Sequence, residues 1–317
     1  MKKILITHQL SGNPELLLKK KGYKVKVFKD DRTHSAQEFI KEAKDADGLL
    51  ISLYNKIDHN VIDELKNCKI IANYGVGYNN IDVAYAHEKG IIVTNTPDIL
   101  TDATADIAVA IVLACSRRLY EGESLMRQDK FTGWKPLLFL GLDLKGKTVG
   151  IIGAGRIGFA TAKRLKAFGT KIIYYNRSKK EVFEKELEAK KTSLEMLLKT
   201  ADIISVHLPL NESTFHILNK TNLSLMKSTA VFVNTARGEV VEEKYLIDIL
   251  KRKKIFTAGF DVYDGEPQFN KELIKLDNVF LLPHLGSATI ETRTAMSELC
   301  VKNIVNVLAG KKPHTPV

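Results

Sequence analysis

Short runs of apolar and β-branched residues alternate with longer segments of helical pattern along almost the whole of this 317-residue chain. Strands that alternate with helices form βαβ units, and successive units of this kind build a parallel sheet with helices on its faces. At roughly 150 residues per domain, the chain has room for two such sheets. The alternation therefore predicts a parallel α/β architecture in two domains.

The predicted strands fall into two series, each of which is expected to form one doubly wound parallel sheet. The first series comprises residues 3–7, 24–28, 48–51, 69–72 and 90–93, and the second comprises residues 147–152, 171–175, 203–206, 230–233, 257–260 and 279–282. Between the two series, residues 101–126 predict one long helix that bridges the domains, with Thr101 or Asp102 as its N-cap. Residues 290–308 predict a terminal helix that returns to the first domain.

Composition excludes several classes of protein. Hydrophobic residues make up 44% of the chain and charged residues 27%, which are values typical of globular proteins. The longest uninterrupted apolar run, residues 107–115, is far shorter than the roughly twenty residues that a membrane-spanning helix needs. We therefore expect no transmembrane segment. Because the apolar stretch after Lys2 and Lys3 is too short for a signal peptide, we expect a cytoplasmic protein.

The spacing of the cysteines and the distribution of charge limit the kinds of ligand and partner that the chain is expected to bind. Cys68, Cys115 and Cys300 are widely spaced and form no CxxC pair, which excludes a disulfide framework and a thiolate zinc site, and no metal is expected. The formal net charge is +11, but the basic residues are spread along the chain. This distribution predicts solvated basic surfaces rather than a nucleic-acid site, and the charge would also attract a small anionic substrate or cofactor.

A glycine motif, Gly153-Ala154-Gly155-Arg156-Ile157-Gly158, lies between the predicted strand 147–152 and a predicted helix over residues 159–168. In this context Gly153 permits a tight turn, Gly155 lets backbone amides approach a pyrophosphate, and Gly158 lets the helix pack closely on the strand. The helix N-terminus adds a partial positive charge. The motif therefore predicts a dinucleotide site to which Arg156 and Ile157 also belong.

The end of the next strand bears on the choice of cofactor. A site for NAD usually places Asp or Glu there, where the carboxylate accepts hydrogen bonds from the ribose. This chain instead has Asn176-Arg177-Ser178, followed by Lys179 and Lys180. Arg177 could pair with a 2′-phosphate through two parallel hydrogen bonds, and Asn176 or Ser178 could donate to it. The sequence therefore predicts NADP(H) as the preferred cofactor and NAD(H) as the alternative, unless these are merely exposed turn residues.

Several further motifs follow one another in a recognisable order. They are Tyr74-Gly75-Val76-Gly77, Trp134-Lys135-Pro136-Leu137, Asn234-Thr235-Ala236-Arg237-Gly238, Asp264-Gly265-Glu266-Pro267 and Pro283-His284-Leu285-Gly286. With the glycine motif, they make the chain resemble the D-isomer-specific 2-hydroxyacid dehydrogenases over nearly its whole length, and within that family the glyoxylate and hydroxypyruvate reductases. The resemblance implies a Rossmann cofactor domain, residues 100–288, inserted into a flavodoxin-like substrate domain formed by residues 1–99 and 289–317.

The resemblance also implies a catalytic group formed by Arg237, Glu266 and His284. The chemistry of these side chains suits the reduction of a 2-oxo acid. The planar guanidinium of Arg237 can pair with the carboxylate of a 2-oxo acid and polarise the neighbouring carbonyl. A histidine such as His284 suits a proton donor because imidazole ordinarily titrates near neutral pH. An ionised Glu266 close by would favour the protonated imidazole and fix its tautomer.

Other contacts follow from the resemblance alone. It implies that the backbone amides of Val76 and Gly77 hold the substrate carboxylate opposite Arg237, and that Asp261 contacts the nicotinamide carboxamide. The remaining predicted contacts are Thr235, Ala236 and Gly286 with the cofactor, and Leu53 and Trp134 with the substrate. Tyr54 and Leu285 are expected, together with those two, to set the width of the substrate pocket. Trp134 is expected to reach across a homodimer to the partner's pocket, or else to be an apolar anchor of the core or of an interface.

The leading functional prediction is NADPH-dependent reduction of glyoxylate or hydroxypyruvate to the D-2-hydroxy acid. Two enzymatic alternatives are a 2-ketogluconate reductase and an NAD-linked D-2-hydroxyacid dehydrogenase. A third is a non-catalytic protein that senses nucleotides, since transcriptional corepressors share this fold. The presence of all three candidate catalytic residues favours the enzyme. We expect a homodimer with a small-molecule substrate and with no nucleic-acid or membrane partner.

Overall fold

The chain forms two parallel sheets in a computed structural model, which describes residues 1–30, 32 and 34–317. By their internal contacts the residues divide into two units, Met1–Leu100 with Ser287–Val317, and Thr101–Gly286. Every strand pairing within the two sheets of the described chain is parallel. The assignment of substrate and cofactor roles to these units stays a prediction.

The first unit contains a five-stranded sheet in the order β2-β1-β3-β4-β5. Its strands are β1 (Lys3–Ile6), β2 (Lys24–Val27), β3 (Gly48–Ile51), β4 (Ile70–Asn73) and β5 (Ile92–Thr94), and its first four helices are α1 (Pro14–Lys20), α2 (Ala36–Ala43), α3 (His59–Glu64) and α4 (Val83–Glu88). The order is that of flavodoxin-like sheets. Strands β3 and β4 are buried along their whole length, as expected for a parallel sheet covered on both faces.

The second unit contains a seven-stranded sheet in the order β12-β11-β10-β9-β6-β7-β8. Its strands are β6 (Thr148–Ile152), β7 (Lys171–Tyr175), β8 (Lys190–Lys191), β9 (Ile203–Val206), β10 (Val231–Asn234), β11 (Thr257–Phe260) and β12 (Val279–Leu281). Its helices are α5 (Thr101–Ser116), α6 (Leu119–Arg127), α7 (Arg156–Lys166), α8 (Glu181–Leu187), α9 (Leu194–Thr200), α10 (Lys220–Leu223) and α11 (Glu243–Lys251). The strand order reverses between β6 and β9, which is the switch point of a Rossmann sheet.

After the second unit the chain returns to the first through α12 (Ile290–Leu308), which packs on β4. The predicted fold class, a Rossmann sheet inserted into a flavodoxin-like sheet, is therefore confirmed. Among the described helices, none combines the length and apolar character that a bilayer-spanning segment requires.

The prediction of one helix over residues 101–126 is wrong. Helix α5 ends at Ser116 and α6 begins at Leu119, because Arg118 lies in the left-handed region with φ of 54°, which a continuous right-handed helix cannot accommodate. The Arg118 side chain donates to the Glu121 carboxylate at 2.7 Å, within the first turn of α6. Neither Thr101 nor Asp102 is the N-cap, since both already lie inside α5.

Candidate active site

The three candidate catalytic side chains follow neighbouring strands of the second unit. Arg237 comes after β10, Glu266 after β11, and His284 after β12. The carboxyl ends of parallel strands meet at one edge of a sheet, and α/β proteins bind their ligands at that edge. The sheet therefore brings together three residues that are up to 47 positions apart in the sequence.

His284 and Glu266 form a hydrogen-bonded pair in which Nδ1 lies 2.7 Å from Oε2. The other carboxylate oxygen, Oε1, accepts from the backbone amide of Tyr263 at 2.8 Å. Burial raises the pKa of Glu266, but the hydrogen bond from His284 and the charges of His284 and Arg237 outweigh it, so the pKa lies below its usual value. Because an ionised carboxylate only accepts, Nδ1 donates to it, and any proton transfer by this ring would use Nε2.

A buried carboxylate holds the backbone beside His284. Oδ1 of Asp261 accepts from the Leu285 amide at 2.6 Å, and Oδ2 accepts from the Gly286 amide at 2.8 Å. Burial raises the pKa of Asp261. The bonds fix the chain where His284 has a φ of 55°, a left-handed conformation that non-glycine residues rarely adopt. Asp261 thus holds the backbone that directly follows His284, a contact that sequence reasoning missed, while its implied contact with the cofactor stays a prediction.

Arg237 is positioned by the turn that follows β10. The buried side chain of Asn234 accepts from the Ala236 amide at 3.0 Å and donates to the Arg237 carbonyl at 2.8 Å. At Gly238, a Cβ would lie 1.9 Å from the carbonyl carbon of Tyr263, so only glycine lets the two segments approach this closely. The backbone after Arg237 is therefore packed directly on the segment that leads to Glu266.

The glycine motif forms a cradle that fits a dinucleotide. A Cβ on Gly153 would lie 2.6 Å from the His207 carbonyl oxygen, and a Cβ on Gly158 would lie 2.2 Å from the Gly153 carbonyl oxygen. A Cβ on Gly155 would meet nothing within 4 Å. Gly155 caps α7 without a side-chain hydrogen bond from the described residues. The N-terminus of a helix favours an anion such as a pyrophosphate through its amides and its partial positive charge.

The side chains around this cradle differ in what they can offer a ligand. Arg156, which follows the cap, is exposed and Ile157 is half-buried. Burial lowers the pKa of His207 to about 3, so its ring adds no positive charge at neutral pH. After β10, the hydroxyl of Thr235 is buried and makes no hydrogen bond to the described residues. A bound ligand could satisfy that hydroxyl, and the predicted contact of Thr235 with the cofactor stays a prediction.

The end of β7 carries the residues expected to select the cofactor. Asn176 Oδ1 accepts from the Ala154 amide at 3.2 Å, which ties this turn to the glycine motif, and its Nδ2 donates to the Ser178 carbonyl at 3.0 Å. The Lys191 ammonium donates to the Arg177 carbonyl at 3.3 Å. Sequence reasoning did not place Lys191 beside this turn, because β8 has only two residues and no apolar pattern. Lys179, which follows these residues in the sequence, is paired with Glu184 at 2.9 Å, and this hydrogen bond raises the pKa of Lys179.

Gly286 and Ala236 are the remaining predicted cofactor contacts. The Gly286 amide is bound to Asp261, and its carbonyl accepts from the Thr104 hydroxyl at 3.1 Å. The Ala236 amide is bound to Asn234, and its carbonyl accepts from Arg237 Nη1 at 2.7 Å. Both backbones are therefore occupied within the second unit, and their contact with a cofactor stays a prediction.

The loop predicted to bind a carboxylate, residues 75–77, follows β4 in the first unit. Its three carbonyls accept hydrogen bonds from the Thr96 amide at 3.0 Å, from Asn95 Nδ2 at 2.9 Å and from Asn73 Nδ2 at 2.8 Å. The carbonyls are thus fixed within the unit, and the Val76 and Gly77 amides donate to no other described residue. Amides presented in this way can bind an anion.

The residues predicted to line the substrate pocket belong to different units, so each is described within its own unit. Leu53 and Tyr54 are half-buried in the turn after β3, where the Asn55 side chain accepts from the Ser52 amide at 3.0 Å and from the Thr7 hydroxyl at 2.8 Å. Trp134 lies between α6 and β6 and is 83% exposed. Among the described residues, His, Cys, Asp and Glu form no group of three that could hold a metal ion.

Comparison with known proteins identifies similar chains. The family model described as the NAD binding domain of D-isomer specific 2-hydroxyacid dehydrogenases matches residues 109–286. A glyoxylate reductase from Thermococcus litoralis is 44% identical over 315 residues, covering 98% of this chain and 95% of the relative. A crystal structure of a Thermus thermophilus protein has a TM-score of 0.94 and 41% identity, with 99% of each chain covered.

A second solved structure was determined with ligands. It is an NADPH-dependent glyoxylate/hydroxypyruvate reductase from Sinorhizobium meliloti in complex with NADP and malonate. Its TM-score is 0.88 and its identity 34%, with coverage of 100% of this chain and 96% of the other. The similarity therefore extends over the residues of both units.

Proposed function

Because the chain belongs to the D-isomer specific 2-hydroxyacid dehydrogenases, NAD(P)-dependent enzymes that act on small 2-oxo acids, we propose that it reduces glyoxylate or hydroxypyruvate with NADPH. The reaction type rests on one observation above all, the His284–Glu266 pair at the carboxyl edge of the sheet. The substrate class is supported by relatives named glyoxylate reductase that are 42–44% identical over nearly the whole chain. A cytoplasmic location stays a prediction of the sequence.

In this proposal each catalytic side chain has its own role. Arg237 pairs with the substrate carboxylate and polarises the adjacent carbonyl. His284 donates the proton from Nε2 to the carbonyl oxygen as that oxygen becomes a hydroxyl, and the ring is reprotonated from solvent. Glu266 accepts from Nδ1, so it holds the ring plane and stabilises the imidazolium. When bound, the reduced nicotinamide supplies the hydride.

We propose that the preferred cofactor is NADPH. The turn after β7 has no carboxylate to repel a 2′-phosphate, and Arg177 can pair with that group through two hydrogen bonds. Lys191, bound to the Arg177 carbonyl, brings a second positive charge to the same turn. The pyrophosphate would bind at the open side of Gly155, on the first amides of α7.

In the first unit, the amides of Val76 and Gly77 are proposed to bind the substrate carboxylate, and Leu53 and Tyr54 to limit the size of the substrate. A homodimer is proposed because large apolar side chains lie exposed along one segment of the second unit. They are Leu119, Tyr120, Met126, Phe131, Trp134, Leu137, Leu138 and Leu140. Exposed apolar residues in such number usually mark a protein interface.

A substrate panel tests the proposal. Glyoxylate, hydroxypyruvate and 2-ketogluconate should each be assayed with NADPH and with NADH, and NADPH binding should be measured separately by fluorescence. The proposal expects the highest kcat/KM for one of the two smaller acids with NADPH. A highest value for 2-ketogluconate would favour the sugar-acid reductase. Tight NADPH binding without turnover of any acid would favour the nucleotide sensor.

A further inference from the structure

The last four residues, 314–317, lie along the edge of the five-stranded sheet, and we call them the terminal strap. The Val317 amide donates to the Val93 carbonyl at 3.1 Å, and Thr94 and Pro316 form an antiparallel bridge. Strand β5 is the last strand of the sheet, so the strap covers an edge that would otherwise expose unpaired backbone groups. Covering the sheet edge explains how the strap stabilises the fold, but it assigns the strap no part in substrate binding.

Thr315 connects the strap to two other segments. Its hydroxyl donates to the Asn95 carbonyl at 2.7 Å, and its own carbonyl accepts from the Asn95 amide at 3.2 Å. The same hydroxyl accepts from Asn303 Nδ2 at 2.9 Å, and Asn303 is fully buried on α12. The backbone of Asn95 is therefore bound through both its polar groups to a residue that α12 holds in place.

The side chain of Asn95 continues this chain of contacts into the substrate loop. Its Nδ2 donates to the Val76 carbonyl at 2.9 Å, and the next residue, Thr96, donates its amide to the Gly75 carbonyl. Two of the three loop carbonyls thus depend on the segment that Thr315 holds. A peptide group that loses its carbonyl partner can rotate, and rotation would turn a carbonyl instead of an amide towards an anion.

We infer that Thr315 and Asn95 are positioning residues, which hold the loop of residues 75–77 with its amides ready for a substrate carboxylate. The inference rests on the proposed function, since it assigns the loop to the carboxylate of a 2-oxo acid. Neither residue is proposed to touch the substrate. Both act through the orientation of the Val76 peptide, so their loss should weaken substrate binding more than the chemical step.

Three variants separate this role from simple edge protection. Thr315→Val removes the hydroxyl and keeps the shape, Thr315→Ser restores the hydroxyl, and Thr94→Val is the matched control. Thr94 lies on the same strand edge, but its buried hydroxyl makes no hydrogen bond to the described residues. We expect Thr315→Val to raise the KM for glyoxylate by about tenfold, the loss of roughly one hydrogen bond, with kcat changed less than twofold. Thr315→Ser and Thr94→Val should keep the KM of the parent.

Two further measurements keep the outcome decisive. Dissociation constants for oxalate, a dicarboxylate that cannot be reduced, should rise in parallel with the KM in the presence of NADP. The backbone amide resonances of Val76 and Gly77 should shift in Thr315→Val and not in Thr94→Val. If Thr315→Val does not fold, Asn95→Ala acts on the same link and should give the same pattern.

The results distinguish the two proposals. Suppose that the parent turns over substrate, and that Thr315→Val lowers the melting temperature but leaves the KM and the amide resonances unchanged. This result would overturn the positioning role and leave the strap as a cover of the sheet edge. A parent that reduces neither acid, but whose Val76 and Gly77 resonances respond to Thr315→Val, would overturn the proposed function and keep the positioning role.

Discussion

At the scale of single residues, the site is defined by which hydrogen bonds the protein already makes for itself. The Glu266 carboxylate binds His284 through one oxygen and the Tyr263 amide through the other. A carboxylate held at both oxygens cannot swing away, so the imidazole keeps one orientation. Proton donation therefore depends on a ring whose direction is fixed before any substrate arrives.

Removing that ring should abolish most of the activity. His284→Ala is expected to lower kcat/KM for reduction by about 10²–10⁴, the usual contribution of a general acid. NADPH affinity should stay within about twofold, because the glycine motif that we propose for the pyrophosphate does not include His284. The control is His87→Ala, which removes an exposed histidine on α4 and should leave both quantities unchanged. A variant that keeps the parent's rate would show that another group donates the proton.

The charge of Glu266 should appear in the pH profile. The lowered pKa of Glu266 keeps it ionised through the mildly acidic range, and the negative charge favours the protonated imidazole that reduction requires. In Glu266→Gln this support is lost, so the decline of reduction with rising pH should begin at a lower pH than in the parent. Rate profiles between pH 5 and 9 test this expectation. Superimposable profiles would mean that Glu266 does not support the charge on His284.

The proposed preference for NADPH can also be tested at one side chain, Arg177. Arg177→Ala should reduce the preference for NADPH over NADH by roughly ten- to a hundredfold, since a charged hydrogen bond contributes about 1.5–3 kcal/mol. Lys179→Ala should change the preference much less, because the Lys179 ammonium is already paired with Glu184. The ratio of kcat/KM values for the two cofactors measures both effects. Equal ratios in the parent and Arg177→Ala would contradict the assignment.

At the scale of elements, two glycines in the turn from β6 into α7 have different surroundings: open space at Gly155 and close backbone contact at Gly158. Gly155→Ala adds a methyl group where nothing lies within 4 Å, whereas Gly158→Ala adds one 2.2 Å from the Gly153 carbonyl oxygen. The two substitutions are chemically identical and three residues apart. They should therefore act on different properties of the protein.

We expect Gly155→Ala to keep the melting temperature and to raise the Kd for NADPH, because the new methyl group lies where the pyrophosphate would approach. Gly158→Ala should lower the melting temperature, since overpacking costs about 1–3 kcal/mol. Calorimetry without ligand and fluorescence titration with NADPH measure the two effects. An unstable Gly155→Ala protein would mean that this glycine serves the fold, and unchanged NADPH affinity would remove it from the cofactor site.

The same turn shows what can be read from a sequence and what cannot. Gly153, Gly155 and Gly158 are predictable because their spacing follows from local backbone geometry. The break at Arg118 is not, since arginine carries no signal for a left-handed conformation. Nor are the roles of Asp261, Asn234 and Asn95, because each depends on a side chain that binds a particular backbone group of a folded turn or of a distant segment.

At the scale of the whole molecule, the proposed homodimer can be followed with an intrinsic probe. Trp134 is the only tryptophan in the chain, and it is 83% exposed in the single subunit. Burial in an interface would shift its fluorescence to shorter wavelength than that of an exposed indole. We expect a blue-shifted emission at micromolar concentration and a mass of twice 35.5 kDa by sedimentation.

The variant Leu137→Asp should move both readouts together. A charge on this exposed apolar segment opposes its burial, so the emission should shift to longer wavelength as the mass falls to that of one chain. Lys130→Asp, which changes a charge in the same segment without touching an apolar side chain, is the control. A monomeric parent with an exposed tryptophan would exclude the homodimer.

The contact at Gly238 has a consequence for any attempt to alter what the enzyme accepts. The backbone after Arg237 and the backbone before Glu266 lie so close that even a methyl group does not fit between them. A segment transplanted from a relative at either position would meet a neighbour shaped for the original. The two segments should therefore be exchanged together, and a redesigned chain should take both from the same relative.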